Sequence, residues 1–373
     1  MPYKPQLDGL RFLAFFAVFL FHVRPGRYAC GPDGVRVFFT LSGFLITRIL
    51  LAGETGDLRA DLGRFYVRRT LRIFPLYYAV VAGLWVSGQL PGLGWYLTYT
   101  YNIRASFERT WGGPVGHFWT LCVEEQFYVL YPFLLLKTPS RFRPALLVGL
   151  LLASKGFQAH ALTRLPMPWS GYLLPYCGEF LAWGCLAGWV ELRTRPGRWE
   201  GPISLLLGVA LVVACRSRFD WWAHSPGVPI LLGALSGFGL GSALVVFGLW
   251  RSSSPWLVGP LAWRPVAYLG KISYGLYVYH LLVIEGDWLS YLPESYLFRF
   301  RQPYGELGLT IVVAAASWRW FEGPINRLKD RLTWPLASAS ASASEVARGP
   351  DPGPDPGPGP GSAPSGANSG PGE

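Results

Sequence analysis

Residues 7–23 read LDGLRFLAFFAVFLFHV. The run is apolar except for Asp8 and Arg11 near its start and His22 near its end. As a helix it would rise about 25 Å, close to the roughly 30 Å of hydrocarbon in a bilayer. No A-x-A-like cleavage site follows it, because the chain continues with VRPG. The stretch therefore predicts a first transmembrane helix, near 8–23, that stays in the protein.

Nine further apolar stretches follow the first one. Of the 373 residues, 51% are hydrophobic and only 15% are charged, whereas a soluble domain carries about 25% charged residues. These values exclude a disordered protein, a coiled coil and an ordinary soluble enzyme. We expect an all-α polytopic membrane protein, a bundle of about ten transmembrane helices, with an aromatic segment at 93–103 lying at the interface. The nine stretches lie near 34–52, 73–90, 117–136, 144–160, 171–190, 202–215, 227–250, 266–285 and 305–322.

The basic residues predict the orientation. The chain carries 33 Lys and Arg against 22 Asp and Glu, a net charge of +11. These cations lie between apolar runs and form no single basic face, so we expect no nucleic-acid partner. With the N-terminus inside, the inside loops hold roughly twice as many Lys and Arg as the outside loops. Both termini are therefore expected to face the cytoplasm.

The composition divides the chain into two parts. Residues 1–335 form the predicted transmembrane domain. Residues 336–373 contain Ala-Ser alternation (337–344) and Asp-Pro-Gly repeats (351–361), and they offer almost nothing apolar to bury. They are expected to form a disordered cytoplasmic tail rich in Ala, Ser, Pro and Gly.

Several polar side chains lie in the predicted spans, where a buried charge costs on the order of 2.5–3.5 kcal/mol. The inferred topology places His22, Ser42, the Glu pair at 124–125 and His280 between the middle of the bilayer and its outer leaflet. Such residues are candidates for function. Structural roles also fit, because Ser42-Gly43 is suited to close helix approach and the glutamates to ion pairs with arginines. The candidates are Arg11, His22, Ser42, Glu124, Glu125, Ser273, Tyr274 and His280.

An arginine cluster, RRTLR at residues 68–72, precedes the third apolar stretch. Arg69 and Arg72 are spaced i, i+3, so on a helix they share a face. Guanidinium groups match phosphate oxygens, and Arg68 together with this pair could hold a polyphosphate at the inner membrane face. Ordinary anchoring by inside positive charge also explains the cluster. Arg11 lies about 16 Å from His22 along the first helix, which would connect the two regions.

Six motifs together resemble the integral-membrane acyltransferase 3 family. This family includes bacterial O-acetyltransferases of lipopolysaccharide, peptidoglycan and other glycans, as well as macrolide acyltransferases. The resemblance implies a bacterial inner-membrane enzyme, of the stand-alone form without an extracellular hydrolase domain. In chain order the motifs are LDGLRFLAFFAVFLFHV (7–23), FFTLSGFLITRIL (38–50), FYVRRTLRIFPLYY (65–78), HFWTLCVEEQFYVLYP (117–132), LGKISYGLYVYH (269–280) and FEGPINRL (321–328).

The resemblance assigns roles to several residues. The family's helix-one histidine corresponds to His22, as general base or as acyl carrier. The pair Arg69 and Arg72, helped by Arg11 or Arg68, would bind the phosphates of acetyl-CoA or another acyl-CoA. Two departures from the usual motifs are Thr120, where serine is usual, and Gly323, where lysine is usual. The residues expected to orient His22 or the acceptor are Glu124, Glu125 and Tyr274, with Ser42, Ser273 and His280 as substrate-binding or structural polar residues.

Other points stay open at this stage. The acceptor is a hydroxyl of a carbohydrate, glycolipid or macrolide, and the oligomeric state is unknown. No metal site is expected, because the five cysteines are scattered through the chain and contain no CxxC pair. A transporter or lipid-carrier flippase would also need polar residues inside the membrane. A purely structural scaffold would not need them.

Truncation after Pro335 is expected to leave acyl transfer unchanged, because the tail has too few apolar residues to form a core. The measurement compares turnover by the full-length and truncated proteins at equal abundance in the membrane. A truncated protein that is expressed normally but has lost acyl transfer would contradict this prediction.

Overall fold

A computed structural model describes residues 3–24, 26–165, 168–219, 227–286, 303–329 and 332. The tail predicted at 336–373 lies outside these residues. Fourteen α-helices account for most of the described chain, and no strand occurs in it. The helices are α1 (Pro5–Val23), α2 (Gly31–Ala52), α3 (Leu58–Val86), α4 (Leu93–Leu97), α5 (Tyr101–Glu108), α6 (Trp119–Lys137), α7 (Arg143–Arg164), α8 (Leu174–Arg193), α9 (Glu200–Phe219), α10 (Val228–Arg251), α11 (Pro255–Ala262), α12 (Arg264–Lys271), α13 (Ser273–Glu285) and α14 (Pro303–Ser317).

The all-helical class predicted from the sequence is confirmed. Among the residues that the structure describes, five segments are long and apolar enough to cross a membrane, judged on length and composition alone. The number of ten spans and the orientation of the termini remain predictions. The five segments are Pro5–Val23, Gly31–Ala52, Ser140–Arg164, Glu200–Ser217 and Val228–Arg251.

The third helix begins earlier than the sequence predicted. Hydropathy placed its start near residue 73, but α3 begins at Leu58 and continues to Val86. Asp57 caps it by accepting hydrogen bonds from the backbone N–H groups of residues 59 and 60. The arginine cluster at 68–72 therefore lies well inside a helix and not in the loop before one. Hydropathy marks where a helix becomes apolar, whereas the cap marks where the backbone begins to coil.

Three other predicted segments differ in detail. The stretch at 93–103 forms the two short helices α4 and α5. The stretch at 266–285 is divided at Ile272 into α12 and α13. The last stretch ends as a π-helical turn, Trp318–Glu322, followed by helical residues 323–329. π-Turns inside helices occur frequently at functional sites.

Glycines bring α2 and α8 into direct backbone contact. A Cβ at Gly43 would collide with the backbone of Leu181, and one at Gly184 would collide with the backbone of Thr40. This reciprocal contact fixes α2 against α8 and places Ser42, next to Gly43, on α2 beside α6. Of the two residues Ser42 and Gly43, it is therefore the glycine that allows the close helix approach expected from the sequence.

A polar cluster joins α7, α8 and α10 away from the arginines. Lys155 Nζ lies 2.8 Å from Glu179 Oε2, and the Ser236 hydroxyl donates to Glu179 Oε1 at 2.6 Å. The Glu179 side chain is fully buried. A buried carboxylate of this kind needs such partners, because an unpaired buried charge is strongly destabilising.

Candidate functional site

Three cavities lie next to one another in the helix bundle. The vestibule, about 1590 Å³, is lined in part by the beginning of α1 and includes Arg11 and Arg72. The middle cavity, about 810 Å³, is lined by the same two arginines. The histidine cavity, about 1430 Å³, contains His22. The middle and histidine cavities share Val35, Phe39, Thr120 and Tyr277.

This row of cavities joins a basic end of the bundle to a histidine-containing end. Arg11 and His22 lie on the same helix, and eleven residues of helix separate their Cα atoms by about 16 Å. The row therefore has the depth of roughly half a bilayer between these two levels. The order of the two ends matches a long, thin molecule with an anionic head.

The middle cavity holds Arg69 and a hydrogen-bonded polar group. The Ser42 hydroxyl donates to Glu124 Oε1 at 2.7 Å, and the Tyr128 hydroxyl donates to Ser42 Oγ at 3.2 Å. The Arg69 guanidinium lies over the Tyr128 ring, 4.6 Å from its centroid. These contacts fix the positions of both a cation and a carboxylate in the wall of the cavity.

Glu125 also lines the middle cavity, and its side chain is only 7% exposed. Among the described residues, its Oε1 atom has no hydrogen-bond partner. Tyr274 cannot serve it while its own hydroxyl donates to the Ile73 carbonyl at 2.8 Å. Leaving a buried polar atom without a partner costs about 1–3 kcal/mol. A ligand that donates a hydrogen bond here would remove that cost.

Two histidines from distant helices meet at the wall of the histidine cavity. His22 is in the last turn of α1, and His280 is fully buried in α13. His280 Nε2 lies 3.2 Å from His22 Nδ1. His280 Nδ1 lies 2.6 Å from the Tyr277 carbonyl oxygen. The two rings thus form a hydrogen-bonded chain that begins at a backbone carbonyl.

This chain assigns the ring protons. A carbonyl oxygen can only accept, so His280 Nδ1 carries the hydrogen and, in the neutral ring, Nε2 is an acceptor. His22 Nδ1 must then donate to it, which leaves Nε2 of neutral His22 with a free lone pair. That nitrogen is the one suited to accept a proton or to attack a carbonyl carbon.

His117 is a third histidine at this place, and sequence reasoning did not single it out. It lies in the 3-10 turn Gly113–Phe118, before α6, and its ring centroid is 4.6 Å from that of His280. It is 1% exposed and lines the histidine cavity. Neither of its ring nitrogens has a hydrogen-bond partner within the described part of the chain. The sequence signal that could have identified it is its position as the first residue of the HFWTLCVEEQFYVLYP motif.

The helix start beside His117 is held by side-chain contacts. The Thr120 and Tyr277 hydroxyls lie 2.6 Å apart, and each is within hydrogen-bond distance of the His117 carbonyl oxygen. Tyr277 belongs to α13, so these bonds connect the beginning of α6 to the helix that carries His280. The histidine cluster is therefore supported from both sides.

The predicted site residues separate into two groups. His22 and His280 lie together, with His117. The other group lines the middle cavity, and the structure brings no carboxylate within hydrogen-bond distance of His22 among the described residues. Arg68 is exposed and lines none of the three cavities. The middle-cavity group is Arg11, Ser42, Arg69, Arg72, Glu124, Glu125, Ser273 and Tyr274.

No cluster of His, Cys, Asp or Glu suited to hold a metal ion occurs in the residues that the structure describes. Of the three clustered histidines, His22 and His280 share a hydrogen bond, and the His117 ring contacts the His280 ring.

Comparison with known proteins identifies the family. A family model described as an acyltransferase domain matches residues 4–318. The chain belongs to this acyltransferase family. The match includes both groups of site residues, from Arg11 to His280. No solved structure is significantly similar to the chain.

Several curated proteins are similar to this acyltransferase family member. The peptidoglycan O-acetyltransferase OatA of Listeria monocytogenes is 26% identical over 364 residues, covering 87% of this chain and 56% of the relative. The O-acetyltransferase OatA of Staphylococcus aureus is 24% identical over 371 residues, covering 87% and 57%. YrhL of Bacillus subtilis is 29% identical over 318 residues, covering 76% and 49%. The chain thus spans about half the length of the curated relatives it matches.

Proposed function

We propose that this protein is a membrane O-acyltransferase that moves an acyl group from acyl-CoA to a hydroxyl of a glycan or related acceptor. The observation that carries the proposal is the row of three cavities. This row joins the arginines at the vestibule, Arg11 and Arg72, to the histidine cavity that contains His22. Family membership supports the reaction class. The names of the Listeria and Staphylococcus relatives support acetyl as the acyl group.

The donor would lie along the row of cavities. Arg11 and Arg72 border both the vestibule and the middle cavity, so their guanidinium groups are placed to hold the diphosphate where the two meet. Arg69 lines the middle cavity together with this pair and would add a third guanidinium group to the diphosphate site. The pantetheine arm would then continue through the middle cavity. Its amide N–H groups are suitable donors for the unpartnered Oε1 atom of Glu125. The thioester would then reach the level of His22.

The chemistry at His22 follows from the ring protons assigned above. As the acceptor oxygen attacks the thioester carbonyl carbon, Nε2 of His22 takes the hydroxyl proton. The tetrahedral intermediate then collapses, the carbon–sulfur bond breaks, and the thiolate leaves with that proton as CoA. His280 holds the His22 ring in the required tautomer. His117, with unpartnered ring nitrogens, would lie beside the reacting atoms.

An acyl-histidine route uses the same geometry. In it, Nε2 attacks the thioester carbonyl carbon, the carbon–sulfur bond breaks, and the thiolate takes a proton from water and leaves as CoA. The acceptor oxygen then attacks the acyl carbon, the carbon–nitrogen bond breaks to restore neutral His22, and the hydroxyl proton is released to water. Both routes need the free lone pair on Nε2. Rapid mixing without acceptor distinguishes them, since only this route releases a burst of CoA equal to the enzyme present.

The acceptor would approach through the histidine cavity. Its wall contains a stacked aromatic pair, Trp119 and Tyr172, whose centroids are 4.6 Å apart. Trp111 also borders it, 6.2 Å from the His22 ring. Aromatic faces of this kind suit the apolar faces of sugar rings, and the Listeria relative is named for peptidoglycan. We therefore favour a glycan hydroxyl over a macrolide.

In the membrane, we propose ten spans with both termini in the cytoplasm of a bacterial cell. The vestibule would then open to the cytoplasm, where acyl-CoA is made, and the histidine cavity would lie toward the outer leaflet. The five long apolar helices support a multi-pass arrangement. The excess of inside Lys and Arg supports the orientation.

The decisive experiment measures CoA release by the purified protein from acetyl-CoA, with and without candidate glycan acceptors. Release that depends on the acceptor, together with acetylated product, is expected. A carrier or flippase predicts no CoA release at all. If a folded protein released no CoA with any acceptor, the proposed reaction would be rejected.

Replacing His280 with leucine is expected to lower kcat about tenfold, because His22 loses the acceptor that fixes its tautomer. The KM for acetyl-CoA should change little, since His280 lies away from the arginines. His280→Gln should recover part of the activity, because its side-chain carbonyl can accept the same hydrogen bond. Equal activity in the Leu and Gln variants would remove this positioning role.

A further inference from the structure

The side chains that line the vestibule are mostly basic. A simple entrance for the donor would not need so many positive charges. Among the described residues that line it, one side chain is acidic, Asp8. This carboxylate is already occupied, since Arg11 Nη1 donates to it at 3.0 Å and the Tyr3 hydroxyl at 2.7 Å. The basic lining residues are Lys4, Arg11, Arg72, Lys271, Arg327 and Lys329.

Lys271 and Arg327 are among the vestibule cations that form no ion pair with a carboxylate in the described ranges. Lys271, at the end of α12, and Arg327, in the helical residues 323–329, are both exposed. Lys271 Nζ lies 5.5 Å from the centroid of the Trp318 ring, within cation–π range. Trp318 begins the π-helical turn, so this turn presents an aromatic face to the vestibule.

We infer that the vestibule is a site for the 3′-phosphorylated nucleotide end of the donor, with Lys271 and Arg327 binding the 3′-phosphate. The inference rests on the proposed function and adds to it the part of the donor that is recognised. The vestibule, at about 1590 Å³, is the larger of the two cavities that Arg11 and Arg72 border. The nucleotide is the bulkiest part of CoA, whereas the pantetheine arm is thin.

The order of groups along CoA matches the order of side chains along the row. The 3′-phosphate and adenine come first, at Lys271, Arg327 and the Trp318 ring. The diphosphate follows at Arg11 and Arg72, and pantetheine and the thioester come next. A donor without the nucleotide, such as an acyl pantetheine or an acyl carrier protein, would leave the outer cations without a partner. The vestibule therefore selects coenzyme A among acyl thioesters.

An anionic lipid headgroup is a second source of phosphate at such a mouth. The two sources differ in solubility and in the 3′-phosphate, so they can be separated. Adenosine 3′,5′-bisphosphate is a soluble probe that carries the 3′-phosphate and no acyl arm. Phosphatidylglycerol, varied in the nanodisc that holds the protein, is the lipid probe.

The test measures the affinities of acetyl-CoA and acetyl-dephospho-CoA for the full-length protein and for Lys271→Ala and Arg327→Ala. Each substitution is expected to raise the Kd of acetyl-CoA about tenfold and to leave the Kd of acetyl-dephospho-CoA within about twofold. Adenosine 3′,5′-bisphosphate should compete more weakly in both variants. Arg264→Ala is the matched control, an exposed cation at the opposite end of α12 that lines none of the three cavities.

Equal losses for both donors, or none for either, would overturn the 3′-phosphate site while leaving the proposed function intact. A loss that appears only when phosphatidylglycerol is present would assign the cations to lipid and also overturn it. Failure of the proposed function looks different, because the parent protein would then bind neither donor and release no CoA.

Discussion

A His22→Ala protein is expected to turn over acetyl-CoA about 10² to 10⁴ times more slowly than the parent protein, the range typical of losing a general base. The loss should be larger if His22 carries the acyl group. The affinity for acetyl-CoA should stay within about twofold, because Arg11, one of the arginines proposed to bind the donor, lies about 16 Å away along α1 and none of them lines the histidine cavity. The measurement is CoA release alongside acetyl-CoA titration.

The control for this prediction is His160→Ala. His160 is an exposed histidine on α7, outside all three cavities. Its loss should leave both turnover and donor affinity unchanged. Acetyl transfer by a well-expressed His22→Ala protein at the parental rate would remove His22 from the reaction.

Arg69→Ala and Arg72→Ala are each expected to raise the dissociation constant for acetyl-CoA by about 10- to 100-fold. A guanidinium–phosphate contact is a charge-assisted hydrogen bond worth about 1.5–3 kcal/mol. Lysine at either position should restore only part of the affinity, because a point charge cannot reproduce the bidentate fork. Of the two, Arg72 should matter more to the diphosphate, since it borders both the vestibule and the middle cavity.

Arg59→Ala provides the matched control on the same helix. Arg59 is exposed in the first turn of α3 and lines none of the three cavities. If α3 arginines serve only to anchor the helix at the inner face, Arg69, Arg72 and Arg59 should behave alike, and lysine should replace each fully. Titration of the solubilised protein with acetyl-CoA decides between these outcomes.

Hydropathy and motif order were enough to predict the helical class and the family. The cost of burying polar groups singled out His22 and His280, and the i, i+3 spacing singled out the arginine pair, before any contact was known. The start of α3 was missed, because its first half is polar and only the Asp57 cap marks where it begins. Hydropathy detects only the apolar part of a helix, so it misses a polar part that extends beyond it.

Contacts between side chains of different helices could not be predicted from the sequence, for a physical reason. Depth along a helix follows from residue count, but the direction a side chain faces depends on how helices pack. Ser42 and Glu124 were predicted to lie at the depth of His22, yet they face the middle cavity with Arg69. His280 comes from a helix 258 residues away in the chain. His117 precedes its helix, in a turn that hydropathy does not distinguish.

The row of cavities raises the question of permeability. A chain of spaces through a bundle is also a potential path for protons when no donor is bound. Arg11 and Arg72 lie where the vestibule meets the middle cavity. Fixed positive charge at such a junction repels protons and metal cations, as an arginine does in aquaporin-type pores. The same guanidinium groups that are proposed to attract an anionic donor would therefore oppose the passage of protons through the empty protein.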